Sequence, residues 1–328
     1  MFAPPFQMVV ENLQVPRCTA FVLPLEATAT DGSTSGQGTF GADAFELRLP
    51  PGGGGACQLS FRGAPPSPHR VGSLVDALFA RSPELSAVEV STTEGASAVH
   101  HRHAFYQTPD LWHYRGDRYP LPLTYTQTGS VRHPERTKPR APLLYRRYCS
   151  DIERTFSLRP FSVDDHLDLF CAWMTDPTVA EFWEMAFEAP RLRAYVQERI
   201  EDPHMVPLIG YFDDTPFAYF EAYWAKEDRL GPHYDAHDHD RGFHMAVGDS
   251  RFRFKGFGRQ WFLSMAHFLY LDDPRSMRLV GEPRIDQIRV TSWSKTTPWK
   301  LVKEFDFPHK RAALMTLERE DFFGSFRI

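Results

Sequence analysis

RGFHMAVGD (241–249), SRFRFKGFG (250–258) and RQWFLSMAHFLYLDD (259–273) follow one another without interruption, and their reading decides the fold. The first piece alternates in polarity and ends in Gly-Asp, which predicts a strand. The third has apolar residues at helical spacing, which predicts a long amphipathic helix. Between them, Arg253-Phe254-Lys255-Gly256-Phe257-Gly258 has the form R-x-x-G-x-G. A helix start offers free backbone N–H groups and the positive end of the macrodipole. Glycines there let the backbone curl against a pyrophosphate, such as that of coenzyme A, with no Cβ in the way. Arg253, Lys255 and Arg259 add positive charge. A basic surface turn with a capping glycine would show the same letters. There is no GxGxxG and no GK[ST], so dinucleotide and P-loop readings fit less well.

Working outward, the second half reads as regular α+β structure. Strands are predicted at 157–162, 206–214, 216–225 and 277–283, with two more in 300–318. Helices are predicted at 164–176, started by an aspartate cap, and at 189–201. The basic, proline-rich VRHPERTKPRAP (131–142) holds few apolar residues, and its X-Pro steps favour extended backbone. The domain junction is placed here: an N-terminal domain over 1–140, a linker over 141–152 and a catalytic domain over 153–328. In the first half, the Gly-, Thr- and Ser-rich 27–56 reads as a flexible loop. VGSLVDALFA (71–80) reads as a helix and SAVEVST (86–92) as a strand.

The totals bound the answer. At 328 residues, 42% hydrophobic and 24% charged, the chain suits two packed domains. A net charge of −5 speaks against a nucleic-acid partner. Cys18, Cys57, Cys149 and Cys171 show no CxxC spacing and read as reduced thiols. No stretch approaches a membrane span or a secretion signal. A soluble cytoplasmic protein is expected, with access to acyl-CoA.

Further blocks carry a resemblance. They are WMTDPTVAEFWE (173–184), PLIGYFDDTPFAYFEAYWAKEDRLGPHY (207–234), DRGFHMAVGD (240–249), LDDPRSMRLVGEPRIDQ (271–287) and KEFDFPHKRA (303–312), with RSPELSAV (81–88), HRHAFYQ (101–107) and PLLYRRY (142–148) in the first half. Together they resemble the siderophore-biosynthesis N-hydroxy-amine acyltransferases of the GNAT superfamily, which include the aerobactin N6-hydroxylysine acetyltransferase. The resemblance implies a GNAT fold with a mixed central sheet flanked by helices. It implies acetyl transfer from acetyl-CoA to the hydroxylamine nitrogen of N6-hydroxylysine, N5-hydroxyornithine or a hydroxylated diamine. The product would be a hydroxamate, the iron ligand of a siderophore. Other enzymes of such a pathway are implied partners, and a homodimer is compatible. Gln287 stands where the family commonly has Asn. A longer donor (succinyl- or 3-hydroxybutyryl-CoA), an unhydroxylated amine, or a non-catalytic acyl-CoA-binding scaffold are the competing readings. The N-terminal domain is expected to be a degenerate GNAT-like copy, because its helix–strand unit at 71–91 has no glycine loop.

His244 is the expected general base, since its ordinary pKa lies near working pH and it matches the family's catalytic histidine. Glu282 and Asp286, in GEPRID, are the candidate carboxylates, with Asp286 preferred; capping the next helix is its other reading. Arg284 is a candidate for the substrate carboxylate. The N–H groups of Met245, Ala246 and Val247 are candidate oxyanion donors. Arg253 to Arg259, with Phe254, Phe257 and Gly258, and Gln287 are assigned to CoA. Trp183, Tyr223 and Trp224 either wall the acceptor's aliphatic arm or pack in the core. The runs HYDAHDHD (233–240) and His100, His101, His103 are read as loops, and no metal is expected.

Overall fold

The computed structural model describes residues 27–28, 33–40, 43–63, 66–95, 97–114, 121, 123–253, 256–287 and 297–325. Phe254, Lys255, Cys18 and the segment 288–296 lie outside the described residues. The chain divides into two compact units, Met1–Phe105 and Tyr106–Ile328. No helix among the described residues is long and apolar enough to cross a membrane.

The first unit contains β1 (Ala27–Thr28), β2 (Thr34–Phe40), β3 (Asp43–Leu49), β4 (Gly55–Phe61), α1 (Pro68–Arg81), β5 (Leu85–Thr92), β6 (Ser97–His101) and α2 (Arg102–Phe105). Its six strands lie in sequence order in one sheet. Only β4 and β5, joined through α1, run parallel. The expected flexible loop over 27–56 is corrected: it builds β1, β2, β3 and the start of β4. Its glycines hid a period of two, in which Phe45 and Leu47 are buried and Glu46 and Arg48 exposed.

The second unit opens with a hairpin of β7 (Tyr125–Thr128) and β8 (Val131–Pro134). It continues with β9 (Tyr145–Cys149), β10 (Arg154–Pro160), α3 (Val163–Met174), α4 (Pro177–Trp183), α5 (Ala189–Glu201), β11 (Met205–Phe212) and β12 (Thr215–Trp224). Then come β13 (Arg241–Val247), α6 (Phe257–Asp272), β14 (Arg278–Gly281), β15 (Lys300–Phe307), β16 (Lys310–Glu318) and α7 (Arg319–Ser325). Eight strands form one sheet in the order β15-β16-β14-β13-β12-β11-β10-β9. The stretch 141–152 is therefore not a bare linker, because β9 is the edge strand of this sheet. The basic segment before it is also tied down. Arg136 donates to both carboxylate oxygens of Glu227 at 2.5 and 2.9 Å. Lys138 donates to the Ile200 carbonyl at the end of α5.

Alternation along β12 sorts the core. Tyr219 packs with Phe161, Phe170 and Trp183 under α3, α4 and α5. Phe220, one residue on, meets Trp261 of α6 on the opposite face. Helix α3 is capped by the Ser162 hydroxyl, which accepts the Asp165 N–H, and not by an aspartate.

Candidate active site

Strand β13 pairs with β12 along its whole length, but with β14 only at Arg241 and Gly242. Beyond Gly242 the sheet splays open. The bond from Ala225 N–H to the Asp240 carbonyl fixes which residues face which way. His244 and Ala246 turn their peptide groups to β12, while Met245 and Val247 turn theirs into the splay. Two carbonyls confirm it: Met245 accepts the Trp183 indole N–H at 2.9 Å, and Val247 accepts from Arg253 Nε at 2.9 Å. Of the three expected oxyanion donors, Met245 and Val247 present their N–H groups to the splay, and Ala246 presents its own to β12.

Helix α6 starts at the bottom of this splay. Its N-cap is Gly256, in the left-handed region at φ 84°, and no side chain among the described residues caps it, unlike α3 and α4. A helix start of this kind suits a phosphate, which the first-turn N–H groups and the macrodipole favour. A Cβ built on Gly258 would meet nothing closer than Trp261 Nε1 at 4.0 Å. Protein packing does not demand glycine there, whereas close approach of a pyrophosphate would. Gly256, Gly258 and the α6 start therefore fit a CoA pyrophosphate. Arg253 departs from its expected role as a phosphate cation. It braces the loop, donating to Val247 and Gly248 carbonyls and to Asp176 Oδ1 at 3.0 Å. Phe257 anchors the helix start between Phe212 and Phe252, ring centroids 5.0 Å from each. Arg259 is half-exposed and 3.3 Å from Asp151.

His244 lies on the face of α3–α5, clamped between two carboxylates. Its Nδ1 is 2.9 Å from Glu221 Oε2, and its Nε2 is 3.0 Å from Glu282 Oε1. Glu221 sits directly opposite on β12. It also accepts the hydroxyls of Tyr195 at 2.5 Å and Tyr219 at 3.0 Å. Glu282 accepts from the Tyr223 hydroxyl at 3.0 Å and from Arg229 at 3.1 Å, with Lys310 Nζ at 3.7 Å. A carboxylate only accepts, so both ring nitrogens donate and His244 is an imidazolium. Burial alone would lower its pKa. The charge of Glu282 and the hydrogen bonds to both carboxylates outweigh burial and push it up to about 10. Burial would raise Glu282, yet His244, Lys310 and Arg229 hold it well below the usual carboxylate range. Burial likewise opposes, and the His244 hydrogen bond overcomes it for, a lowered Glu221.

This cluster opens into a cavity of about 610 Å³ lined from both faces of the splay. Phe243, Phe262, Trp299 and Met315 line the α6 side; Trp183, Tyr195, Arg199, Arg229 and Lys310 line the histidine side. Met245, Gln287 and Arg284 also line it. Asp286 does not join His244. It pairs with Arg284 at 2.7 Å and keeps 59% side-chain exposure. Two of the three expected aromatic walls are corrected. Tyr223 is fully buried and stacks behind His244, centroids 4.6 Å apart. That contact needs Gly242, where a Cβ would strike the Tyr223 ring at 2.3 Å. Trp224 is sandwiched between the guanidinium groups of Arg136 and Arg241, each 4.1 Å from its ring.

Sequence reasoning missed Glu221, Tyr195, Arg229 and Lys310. Among the described residues, one group of three metal-type ligands converges: Asp228, His244 and Glu282, within 4.8 Å. Here the imidazolium, Arg229 and Lys310 already surround Glu282, and a cation would have to displace them. In the histidine-rich loop, His233 packs on Phe305 and Phe307, and Asp240 holds Arg278. Cys57 and Cys171 are free thiols, and neither they nor Cys149 lines the cavity.

Residues 162–307 match the family model of the acetyltransferase (GNAT) domain. The N(6)-hydroxylysine O-acetyltransferase of Escherichia coli is 34% identical over 262 residues, covering 76% of this chain and 83% of that protein. The hydroxyornithine transacylase of Ajellomyces capsulatus is 39% identical over 214 residues, covering 62% of this chain and 49% of its own length. Among solved structures, an uncharacterised protein from Bacillus halodurans shares the fold at 23% identity, with a TM-score of 0.53 over 56% of this chain and 95% of its own. With the splayed sheet, the uncapped helix start and these relatives together, the chain belongs to the GNAT acetyltransferase family and is an acyl-CoA-dependent N-acyltransferase, grouped with the acyltransferases of hydroxylysine and hydroxyornithine.

Proposed function

We propose that the enzyme transfers an acetyl group from acetyl-CoA to the hydroxylamine nitrogen of N6-hydroxylysine or N5-hydroxyornithine, yielding the hydroxamate of a siderophore. The observation that carries this reading is His244, held as an imidazolium between Glu221 and Glu282 at the mouth of the splay. The names of the relatives point to the same acceptors. A hydroxylamine nitrogen is far less basic than an alkyl amine and arrives neutral, so no base is needed before attack. After attack it is strongly acidic, and the His244–Glu282 pair receives its proton; the C–S bond then breaks, and CoA departs as a thiolate that takes up this proton and restores the pair. The expected role of His244 as a simple neutral base is thereby replaced by a paired one: the imidazolium donates, and the carboxylate behind it accepts. Met245 and Val247 N–H groups steady the oxyanion. Glu282 is assigned to catalysis, Glu221 to positioning, and Asp286 is given no role.

The same reading places the enzyme in the cytoplasm with its acyl-CoA supply, as a homodimer working beside other enzymes of hydroxamate synthesis. Its N-terminal unit is a degenerate GNAT-like copy. In support, the parallel β4–α1–β5 unit parallels β13–α6–β14 in topology and lacks a glycine loop. The test is a thiol-release screen of hydroxylated and parent amines against several acyl-CoAs, with the product analysed. A hydroxamate that colours with ferric ion is expected. An O-acyl ester, or no thiol release with any hydroxylamine, would overturn the reading.

A further inference from the structure

Four cationic side chains line the acceptor side of the cavity: Arg199, Arg229, Arg284 and Lys310. Three are committed. Arg284 is spent on both oxygens of Asp286 and on the Glu181 carbonyl. Arg229 and Lys310 are drawn to Glu282. Arg199 differs. Its outer nitrogen meets Glu198, but its Nε–H is buried and has no hydrogen-bond partner among the described residues. Buried donors are nearly always satisfied, so this one asks for a ligand.

Arg199 is also held in place. Its guanidinium lies over the Tyr195 ring, 5.1 Å from the centroid, one helical turn along α5. The carbonyls of Arg199 and Ile200 are pinned by Lys138. Tyr195 itself reaches Glu221, the carboxylate that holds His244. One wall of the cavity thus runs His244, Glu221, Tyr195, Arg199. A guanidinium fork stands one tyrosine side chain away from the reaction centre, a span suited to a short alkyl arm. Guanidinium groups match carboxylates bidentately.

Resting on the acceptor reading above, we propose that Arg199 reads the carboxylate of the acceptor, so that the enzyme selects an N-hydroxylated amino acid and rejects the corresponding hydroxylated diamine. The carboxylate pairs with the part of the guanidinium that lines the cavity, and a small swing of the side chain would bring the buried Nε–H to it as well. A hydroxylated diamine lacks this carboxylate and brings an ammonium with no compensating anion to a wall already lined by Arg199, Arg229 and Lys310.

The test compares kcat/KM for N6-hydroxylysine and N-hydroxycadaverine, using wild type, Arg199→Gln and Arg199→Lys. The wild type is expected to favour hydroxylysine on the order of 10²-fold, the logic of a site that penalises a missing polar partner. Arg199→Gln should raise KM for hydroxylysine and collapse that preference to within a few-fold. Arg199→Lys should recover part of it. Acetyl-CoA affinity by calorimetry, unchanged in both variants, shows that the fold is kept. An unchanged preference in a folded Arg199→Gln variant, or a wild type that favours the diamine, overturns the carboxylate proposal alone. Failure of the wild type to acylate either hydroxylamine overturns the acceptor reading, and this proposal with it.

Discussion

At the residue scale, everything turns on one imidazole with a carboxylate at each nitrogen. Both nitrogens are engaged, so the ring cannot serve as a free base in the resting enzyme. His244→Ala should lower kcat by about 10²–10⁴, the usual size of a proton-transfer contribution, with acetyl-CoA affinity kept. Near-normal turnover would make His244 structural. The clamp also has a pH signature. His244 is raised from its ordinary 6.5 to about 10, so the folded state binds the proton more tightly than the unfolded chain. Its contribution to stability is then fully present below about pH 6.5 and is lost as pH rises through about 10. Chemical unfolding at pH 7 and pH 10 should show a larger drop for wild type than for His244→Gln. Equal drops would contradict the charged clamp. His244 and Glu282 were legible in the sequence from their motif positions. Glu221 was not, because only strand register brings it to His244. Its signal was there: one carboxylate in the otherwise apolar PFAYFEAYWA. Asp286 misled because GEPRID does not show that Arg284, two residues away, captures it locally.

At the element scale, helices and strands of the second unit follow their periodicity closely: α5 spans Ala189–Glu201, as its apolar spacing predicts. What the periodicity could not show is where β14 leaves β13, since that depends on pairing and not on either strand's own pattern. The splay exposes the Met245 and Val247 peptide groups and aims the α6 start at the same gap. Gly258→Val should therefore keep the fold, since a Cβ there makes no contact closer than Trp261 Nε1 at 4.0 Å, and raise KM for acyl-CoA by at least about tenfold, through loss of close backbone approach. Gly256 is a poorer probe, because its φ of 84° strains any side chain there. Unchanged CoA affinity in folded Gly258→Val would remove the phosphate site.

At the scale of the whole molecule, the α+β class was readable; the junction expected at 131–142 differs from the division after Phe105, and composition obscured how 27–56 and 131–142 fold. Glycine-rich 27–56 became strands, and the proline-rich basic stretch was strapped down by Arg136 and Lys138. In 131–142 partners distant in sequence overrode a local loop signal, while 27–56 is held by pairing between strands adjacent in sequence. The second unit then assembles one cavity from β12, β13, β14, α4, α5 and the β15–β16 turn. A parent lysine amine is protonated at neutral pH, and a charged histidine beside a carboxylate held well below its ordinary range is too weak a base to remove that proton before attack, whereas it can take the far more acidic one that appears after attack. The most direct measurement is kcat/KM for N6-hydroxylysine against lysine at pH 7.5 with acetyl-CoA. A preference for the hydroxylated amine of at least about 10²-fold is expected; equal rates for the two would overturn the hydroxylamine as the acceptor.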